Sequence, residues 1–421
     1  MPDQPNILFI MSDDHAAHAI SAYGSRINHT PHLDRIAAGG MRMDNCHCVN
    51  SICTPSRANI LTGQHSHLNG VHTLHSKLDG TRDLLVQKHL KAAGYTTAMI
   101  GKWHLGQGEP HDPTGFDFYS VLQGQGPYFD PEMIEQGQKK TYSGYTTEII
   151  TDLTLQWLDG RDKTRPFFCC CHHKAPHRPW QPSPKYATLF DDRDIPEPET
   201  FYDDYANRSL AAASACIRIG RDNRPTDTKG LPPAGLDEAG VKRWAYQRYI
   251  KDYLRCVQSI DDSVGALLDH LEANGLAENT IVIYTSDQGF FLGDHGWYDK
   301  RFMYEHSLRM PLLVRWPARI EAGSACEAIY TNIDFAPTWL EAAGAPIPDQ
   351  MQGVSGMPLW QGDTPDDWQQ SLYYRYWMHT GGTDNRGGHN FCSHYGVRTH
   401  RYKLIYYYGE GFDLPGTTDQ P

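Results

Sequence analysis

The chain has 421 residues, with 38 Lys and Arg against 50 Asp and Glu, a formal net charge of −12 at pH 7. Charged residues make up 21% and hydrophobic ones 39%, which supplies a sizeable core and excludes default disorder. No basic stripe exists for nucleic-acid phosphates, and no apolar run approaches the roughly 18–20 residues of a membrane span.

The first predicted element, Asn6-Ile-Leu-Phe-Ile-Met-Ser12, is a continuous apolar run of the kind a strand buried on both faces shows, and it ends in Asp13-Asp14. Thr30-Pro31 opens a helix carried by Leu33, Ile36 and Ala37 and closed by Gly39-Gly40, with Thr30 as its expected cap. Cys53-Thr-Pro-Ser-Arg57 opens a short helix, Ala58 to Thr62, which Gly63 stops. Leu84 to Ala93 is amphipathic, and Thr96 to Gly101 is a strand that runs out into Lys102-Trp-His104. Pro166 to Cys171 is a further buried strand, ending in His172-His173 and the Pro176-His177 turn. Apolar residues recurring at three and four predict one long helix from Glu238 to Ala273. Thr280 to Thr285 is a strand that ends in Ser286-Asp287-Gln288-Gly289, and Met310 to Trp316 is another. Residues 200–240 and 379–392 read as loop-like insertions.

This alternation predicts an α/β fold with a mostly parallel central sheet flanked by helices. After about residue 345 the texture changes. Strands such as Tyr373 to Trp377 and Tyr402 to Tyr408 crowd together and predict a small antiparallel C-terminal subdomain, dividing the chain into 1–345 and 346–421. The N-terminus lacks a basic region and a cleavage site, so as it stands the sequence reads as cytoplasmic, and as periplasmic or secreted had a leader been trimmed.

Ten cysteines are too few for a disulfide scaffold. Cys169-Cys170-Cys171 read as small buried strand residues, since neighbours on a strand point to opposite faces. Cys46 and Cys48 find no second pair at zinc-ribbon spacing and also read as core. Cys53 differs, because the N-terminus of a helix favours negative charge. Its pKa is therefore expected to be lowered and the thiol activated.

In an open α/β sheet, ligands bind beyond the carboxyl ends of the strands. Asp13-Asp14, Lys102, His104, His177 and Asp287-Gln288 all fall at such ends. Carboxylates and an amide oxygen are hard ligands that favour Ca²⁺ or Mg²⁺. A soft thiolate at position 53 suits such a site poorly. Either Cys53 is an ordinary thiol beside a metal, or it is converted into something that offers oxygen.

Cys53-Thr-Pro-Ser-Arg57 resembles the Cys-X-Pro-Ser-Arg signature of type I sulfatases, whose cysteine is oxidised to formylglycine (3-oxoalanine). Asp13-Asp14, Gly101-Lys-Trp-His-Leu-Gly106, Ala175-Pro-His177, Ser286-Asp-Gln-Gly289 and Lys300 follow in that family's order, so the resemblance spans about residues 5–320 and continues more weakly to 408. It implies the alkaline-phosphatase-like sulfatase fold and a sulfuric ester hydrolase. It also implies Ca²⁺ (Mg²⁺ as the alternative) held by Asp13, Asp14, Asp287, Gln288 and an oxygen of the modified Cys53. On this likeness a hydrated formylglycine attacks sulfur, and His177 and Lys300 are the candidate proton donors to the leaving alcohol. His104 deprotonates the second hydroxyl, while Arg57 and Lys102 orient the diol and the sulfate. A formylglycine-generating or anaerobic maturation enzyme is the implied partner. Two departures stand out: Gln288 replaces the Asn more often found there, and the chain stops soon after Tyr408.

Asp299 to Glu305 and Met310 to Arg315 resemble glycan sulfatases, including the N-acetylglucosamine-6-sulfatase group, so the expected substrate is a sulfated saccharide. The alternatives are a phosphonate or phosphodiester hydrolase of the same superfamily and an inactive carbohydrate-binding relative with Cys53 unmodified. His65, His67, His72 and His75 read as loop histidines. His295, Arg375, Trp377 and His394 are the candidate sugar contacts, with packing or surface roles as the competing reading. Asn207-Arg-Ser209 is a glycosylation sequon only on a secretory route.

Overall fold

A strand that buries both faces needs apolar residues at nearly every position, and Asn6–Ser12 (β1) meets that need: all seven residues are buried in the computed structural model, which describes residues 4–82, 84–379 and 391–408. The other strands of the same sheet are Met41–Met43 (β2), Thr96–Lys102 (β3), Phe118–Leu122 (β4), Glu132–Glu135 (β5), Gln138–Thr141 (β6), Phe167–His172 (β7), Thr280–Ser286 (β8), Leu312–Arg315 (β9) and Ser324–Cys326 (β10). Their order is β10-β2-β9-β8-β1-β7-β3-β4-β5-β6. The block β8-β1-β7-β3-β4 is parallel, while β9 on one side and β5 on the other run against it, and β6 turns back antiparallel to β5.

Six helices cover this sheet: Pro31–Ala38 (α1), Cys53–Thr62 (α2), Val86–Ala92 (α3), Thr146–Gly160 (α4), Glu238–Ala273 (α5) and Phe335–Ala342 (α6). They pack in two groups, α1 and α4 against α5, and α2 and α3 against α6. Phe9 meets Trp339 of α6 at 4.7 Å between ring centroids and Phe335 at 6.2 Å. Each such side chain contributes about 1.5–3 kcal/mol by leaving water, so the central strands are the most firmly held part of the molecule.

The expected long helix appears with its expected bounds, capped by Asp237, whose carboxylate accepts from the Gly240 N–H at 2.8 Å. At α1 the cap is not the expected one. The Thr30 hydroxyl turns to the Ser21 N–H, and Asp261 of α5 reaches across to accept from the N–H groups of His32 and Leu33. Helix α2 begins at Cys53 itself, with extended Ile52 as its uncapped entry. Cys169, Cys170 and Cys171 are buried free thiols in β7, as small core residues should be.

Residues 200–240 are not wholly loop: they contain the short helices Leu210–Ser214 and Pro225–Thr228. Strands β4 to β6 have no counterpart among the expected elements: β5 and β6 have polar sequences, partly or wholly exposed, and β4, Phe-Tyr-Ser-Val-Leu, is a short apolar run of five residues. Of the expected insertion at 379–392, residues 380–390 lie outside the described part. The C-terminal strands are Ser371–Tyr376 (β11), Ser393–Thr399 (β12) and Lys403–Tyr408 (β13), an antiparallel sheet in that order. Among the described residues no helix is long and apolar enough to cross a membrane.

Gly101 sits where β3 meets β7 with φ +101°, and a Cβ there would lie 2.0 Å from the His172 carbonyl oxygen. Gly101→Ala is therefore expected to lower stability by more than about 2 kcal/mol, read from the denaturant midpoint. An unchanged midpoint contradicts this close approach.

Candidate active site

Parallel register decides which residues meet at the carboxyl edge. Ser12 of β1 lies opposite Ser286 of β8, so the next residues, Asp13 and Asp287, emerge side by side. On the other flank Met11 pairs with His172, and His172 with Gly101, which brings Lys102 to the same edge. The chain continues the pairing for one step past the strands: the Asp13 N–H donates to the Ala175 carbonyl and the Asp287 N–H to that of Ser12. Asp14 then turns inward at φ +70°. Helix α2 points its N-terminus at this edge, with every residue from Cys53 to Thr62 buried.

Asp13, Asp14 and Asp287 are each 0% exposed, and three cations answer them. Arg57 donates from Nε to Asp287 at 3.0 Å and from a terminal nitrogen to the Lys102 carbonyl at 2.6 Å. The Lys102 ammonium pairs with Asp13 and the Gln125 amide oxygen, and the Lys300 ammonium pairs with Asp14. Burial pushes Lys102 well below the ordinary lysine range. Lys300 stays above its ordinary value, because Asp14 and Asp299 outweigh the cost of burial. Burial also pushes Asp14 up to about 6 despite the pull of Lys300, with Asp287 and Asp299 adding to the rise. Exclusion of water, more than any shortage of cations, is what makes this closed site costly for its carboxylates.

The orphaned atoms tell what fits there. Asp13 Oδ1, Asp14 Oδ2 and Gln288 Oε1 are buried without a hydrogen-bond partner among the described residues. Gln288 turns its Nε2 to Asp14 at 2.5 Å, which leaves the amide oxygen for another ligand. Asp13, Asp14 and His177 can bring ligand atoms within 4.8 Å of one another, and Asp287 joins them through the Asp14 N–H at 3.3 Å. Unpaired hard oxygens beside carboxylates are the donor set of Ca²⁺ or Mg²⁺, so the residues present fit a divalent cation.

Around this centre His104 accepts or donates at Nδ1 with the Thr54 hydroxyl at 3.2 Å, and burial together with Lys102 and Arg57 holds its pKa well below the ordinary value. His177 donates from Nδ1 to the Arg178 carbonyl at 2.6 Å, which leaves Nε2 toward Asp14 at 3.9 Å. Burial keeps this ring neutral as well.

The expectation for Cys53 is overturned in one respect. Its thiol is not activated: burial pushes its pKa up to about 11, with Lys300 opposing and Asp287 and Asp14 reinforcing the rise. The helix terminus is outweighed by exclusion of water and by the carboxylates that the terminus faces.

A cavity of about 350 Å³ opens over Cys53, with His177 and Lys300 in its wall. A second of about 590 Å³ adjoins it at Leu74 and is lined by Thr54, His75 and His104. None of the four candidate sugar contacts lines either one. His295 is held by Asp203 at 2.8 Å and packs against Trp297 and Tyr304. His394 is fully buried beside Tyr374 and Tyr407, with its pKa lowered by burial to about 4, which makes it a packing residue. Arg375 stacks on Trp377 at 3.5 Å and reaches the Tyr408 hydroxyl at 3.0 Å. Of the loop histidines, His65 and His67 stack on each other and His72 meets Trp377, while His75 lines the second of these two cavities.

The cavity wall also contains residues that the sequence did not single out as site residues: Gln125, Lys174, Arg178, Arg224, Asp299 and Arg301. Asp299 and Arg301 flank Lys300, and Lys174 immediately precedes Ala175-Pro-His177, so adjacency to a motif was the available signal. Arg224 comes from the aperiodic 200–240 stretch, where no pattern marks it.

A sulfatase profile matches residues 5–345, and a profile for the C-terminal part of N-sulphoglucosamine sulphohydrolase matches residues 293–415. The chain is 42% identical to an N-acetylglucosamine-6-O-sulfatase of Bacteroides thetaiotaomicron, covering 97% of this chain and 79% of that protein. It is 27% identical to the human N-acetylglucosamine-6-sulfatase over 89% of this chain and 67% of that one. Among solved structures, a protein in complex with its substrate D-glucosamine-2-N,6-O-disulfate superposes with a TM-score of 0.91 at 41% identity, covering 98% of this chain and 90% of that chain. A phosphonate monoester hydrolase from Silicibacter pomeroyi shares the fold at a TM-score of 0.75 and 22% identity, covering 98% of this chain and 88% of that one.

With burial holding the unmodified Cys53 thiol up at about 11, its alkylation rate is expected to stay low at pH 8 and to climb through pH 11 as the thiolate forms. Peptide mass spectrometry of iodoacetamide-treated protein reads the rate at this position. A midpoint at or below the ordinary thiol value near 8.5 contradicts the burial account.

Proposed function

The chain belongs to the sulfatase family, and on that premise we propose that it hydrolyses the 6-O-sulfate of N-acetylglucosamine or a closely related glucosamine derivative. The observation that carries this reading is the 42% identity over 97% of the chain to an N-acetylglucosamine-6-O-sulfatase. The gathering of Cys53, His177 and Lys300 in one cavity wall supports it from the side of chemistry. The same reading divides the chain into a catalytic region, 1–345, and a smaller C-terminal region, 346–421.

When present, a divalent cation held by Asp13, Asp14, Asp287 and Gln288 supplies charge against the sulfate oxygens, and formylglycine made from Cys53 by a separate maturation enzyme supplies the nucleophilic oxygen. The remaining work falls to this chain's own side chains. Arg57 and Lys102 tie the edge of the sheet to the helix that carries position 53, and so fix the reacting atom against the site. An alcohol is a poor leaving group, so a proton must reach its oxygen. Lys300 keeps its ammonium in the closed site and is the ready donor. His177, neutral and with its proton held on Nδ1 by the Arg178 carbonyl, presents Nε2 to the same region as a hydrogen-bond acceptor, so Lys300 is the better-placed donor of the two. His104, held neutral by burial and by neighbouring cations, is suited to take a proton rather than to give one.

Sulfate release from N-acetylglucosamine 6-sulfate is expected to fall more than about 1,000-fold in Cys53→Ala. In active wild-type protein the tryptic peptide that contains position 53 should be about 18 Da lighter than the thiol form. Activity that survives Cys53→Ala, or an active sample whose peptide keeps the thiol mass, rules this reading out.

A further inference from the structure

Charge matching in the cavity wall is incomplete. Lys300 pairs with Asp14, Arg301 with Asp299 at 2.7 Å, and Arg178 with Asp227 and Asp299. Asp227 is further engaged by the backbone N–H of Arg224 at 2.9 Å, so no acid in the wall is left over. Lys174 and Arg224 line the same cavity, and among the described residues neither has a carboxylate within ion-pair distance.

For Lys174 this is a costly arrangement. The side chain is only 3% exposed, and its ammonium rests over the Tyr128 ring at 4.5 Å with no hydrogen-bond acceptor of its own among the described residues. Burial brings it down to about 8, which still leaves it charged at neutral pH. A desolvated ammonium without an anion is retained at a cost unless something that binds there supplies the anion. Arg224 lies exposed on the same wall, with a guanidinium fork suited to sulfate or carboxylate. Lys174 arrives from the segment after β7 and Arg224 from the 200–240 stretch, so two separate parts of the chain deliver positive charge to one wall.

We propose that Lys174 and Arg224 form a second anion subsite, which takes a further sulfate or carboxylate carried by the saccharide whose 6-sulfate is cleaved at position 53. This subsite rests on the function proposed above and specifies it: the preferred substrate carries at least two negative groups. The second group can sit on the same ring as the scissile sulfate or on the neighbouring sugar.

The test compares kcat/KM for three substrates. N-acetylglucosamine 6-sulfate carries one anion, D-glucosamine 2-N,6-O-disulfate adds a sulfate on the same ring, and a hexuronate-linked N-acetylglucosamine 6-sulfate adds a carboxylate on the next ring. Wild-type enzyme is expected to favour one of the doubly charged substrates at least about tenfold over the first, chiefly through KM, and that arm names the source of the anion. The preference should weaken as salt is raised. It should collapse to within about twofold in Lys174→Gln combined with Arg224→Gln, and survive in Lys174→Arg. Arg224→Gln alone, at an exposed position, should cut the preference severalfold and covers the case in which the Lys174 variant does not fold. Equal kcat/KM on all three substrates overturns the subsite and leaves the sulfatase reading standing, as does a preference that persists in the double variant or in Arg224→Gln. Wild-type enzyme that releases sulfate from none of the three overturns the function on which the subsite rests.

Discussion

Three carboxylates buried side by side are the constraint that organises this molecule. Asp13, Asp14 and Asp287 reach one point because β1 and β8 are neighbours in parallel register, and at that point water is excluded. Like charges in such a place are tolerated only with cations at hand. Arg57 comes from α2, Lys102 from β3 and Lys300 from the segment after β8, so meeting the demand ties four parts of the chain together. Even then buried oxygens are left over on Asp13, Asp14 and Gln288. Chemical function and structural demand coincide here, since the same oxygens that lack partners are the ones a hard cation takes.

The same burial makes position 53 a poor place for a thiolate. In an acidic, closed environment a thiolate is disfavoured, and Cys53 is held in its neutral form far above neutral pH. A nucleophile that depends on losing a proton from sulfur would be idle in this setting. A residue that brings its own oxygens to a hard cation does not face that obstacle. Burial likewise separates the neighbours by role, leaving His104 neutral and Lys300 charged within one cavity system.

Much of the fold was legible because the central strands must be apolar at every position and the long helix must repeat at three and four. Asn6 to Ser12 and Glu238 to Ala273 therefore fell at the expected bounds. Strands β5 and β6, at one end of the sheet, face solvent over much of their length, and their mixed sequence hid them. The residues at the sheet edge could be named because strand ends are where an apolar run breaks into Asp, Lys or His. Aromatic and cationic residues of the C-terminal strands were harder to place. The same Arg375 and Trp377 that suit a sugar ring also suit each other, and His394 is consumed by packing. Lys174 was marked only by its place beside Ala175-Pro-His177 and Arg224 by nothing, since what distinguishes them is a carboxylate that is missing from their surroundings.

The most direct measurement is calcium titration of chelator-treated protein by calorimetry, with the melting temperature followed in parallel. Wild-type protein should bind one Ca²⁺ per chain and gain thermal stability as the free ion rises, and Asp287→Asn should weaken the binding and reduce the gain. Absence of binding and of any shift at millimolar Ca²⁺ or Mg²⁺ in the wild type would contradict the claim that these unpaired oxygens are a cation site.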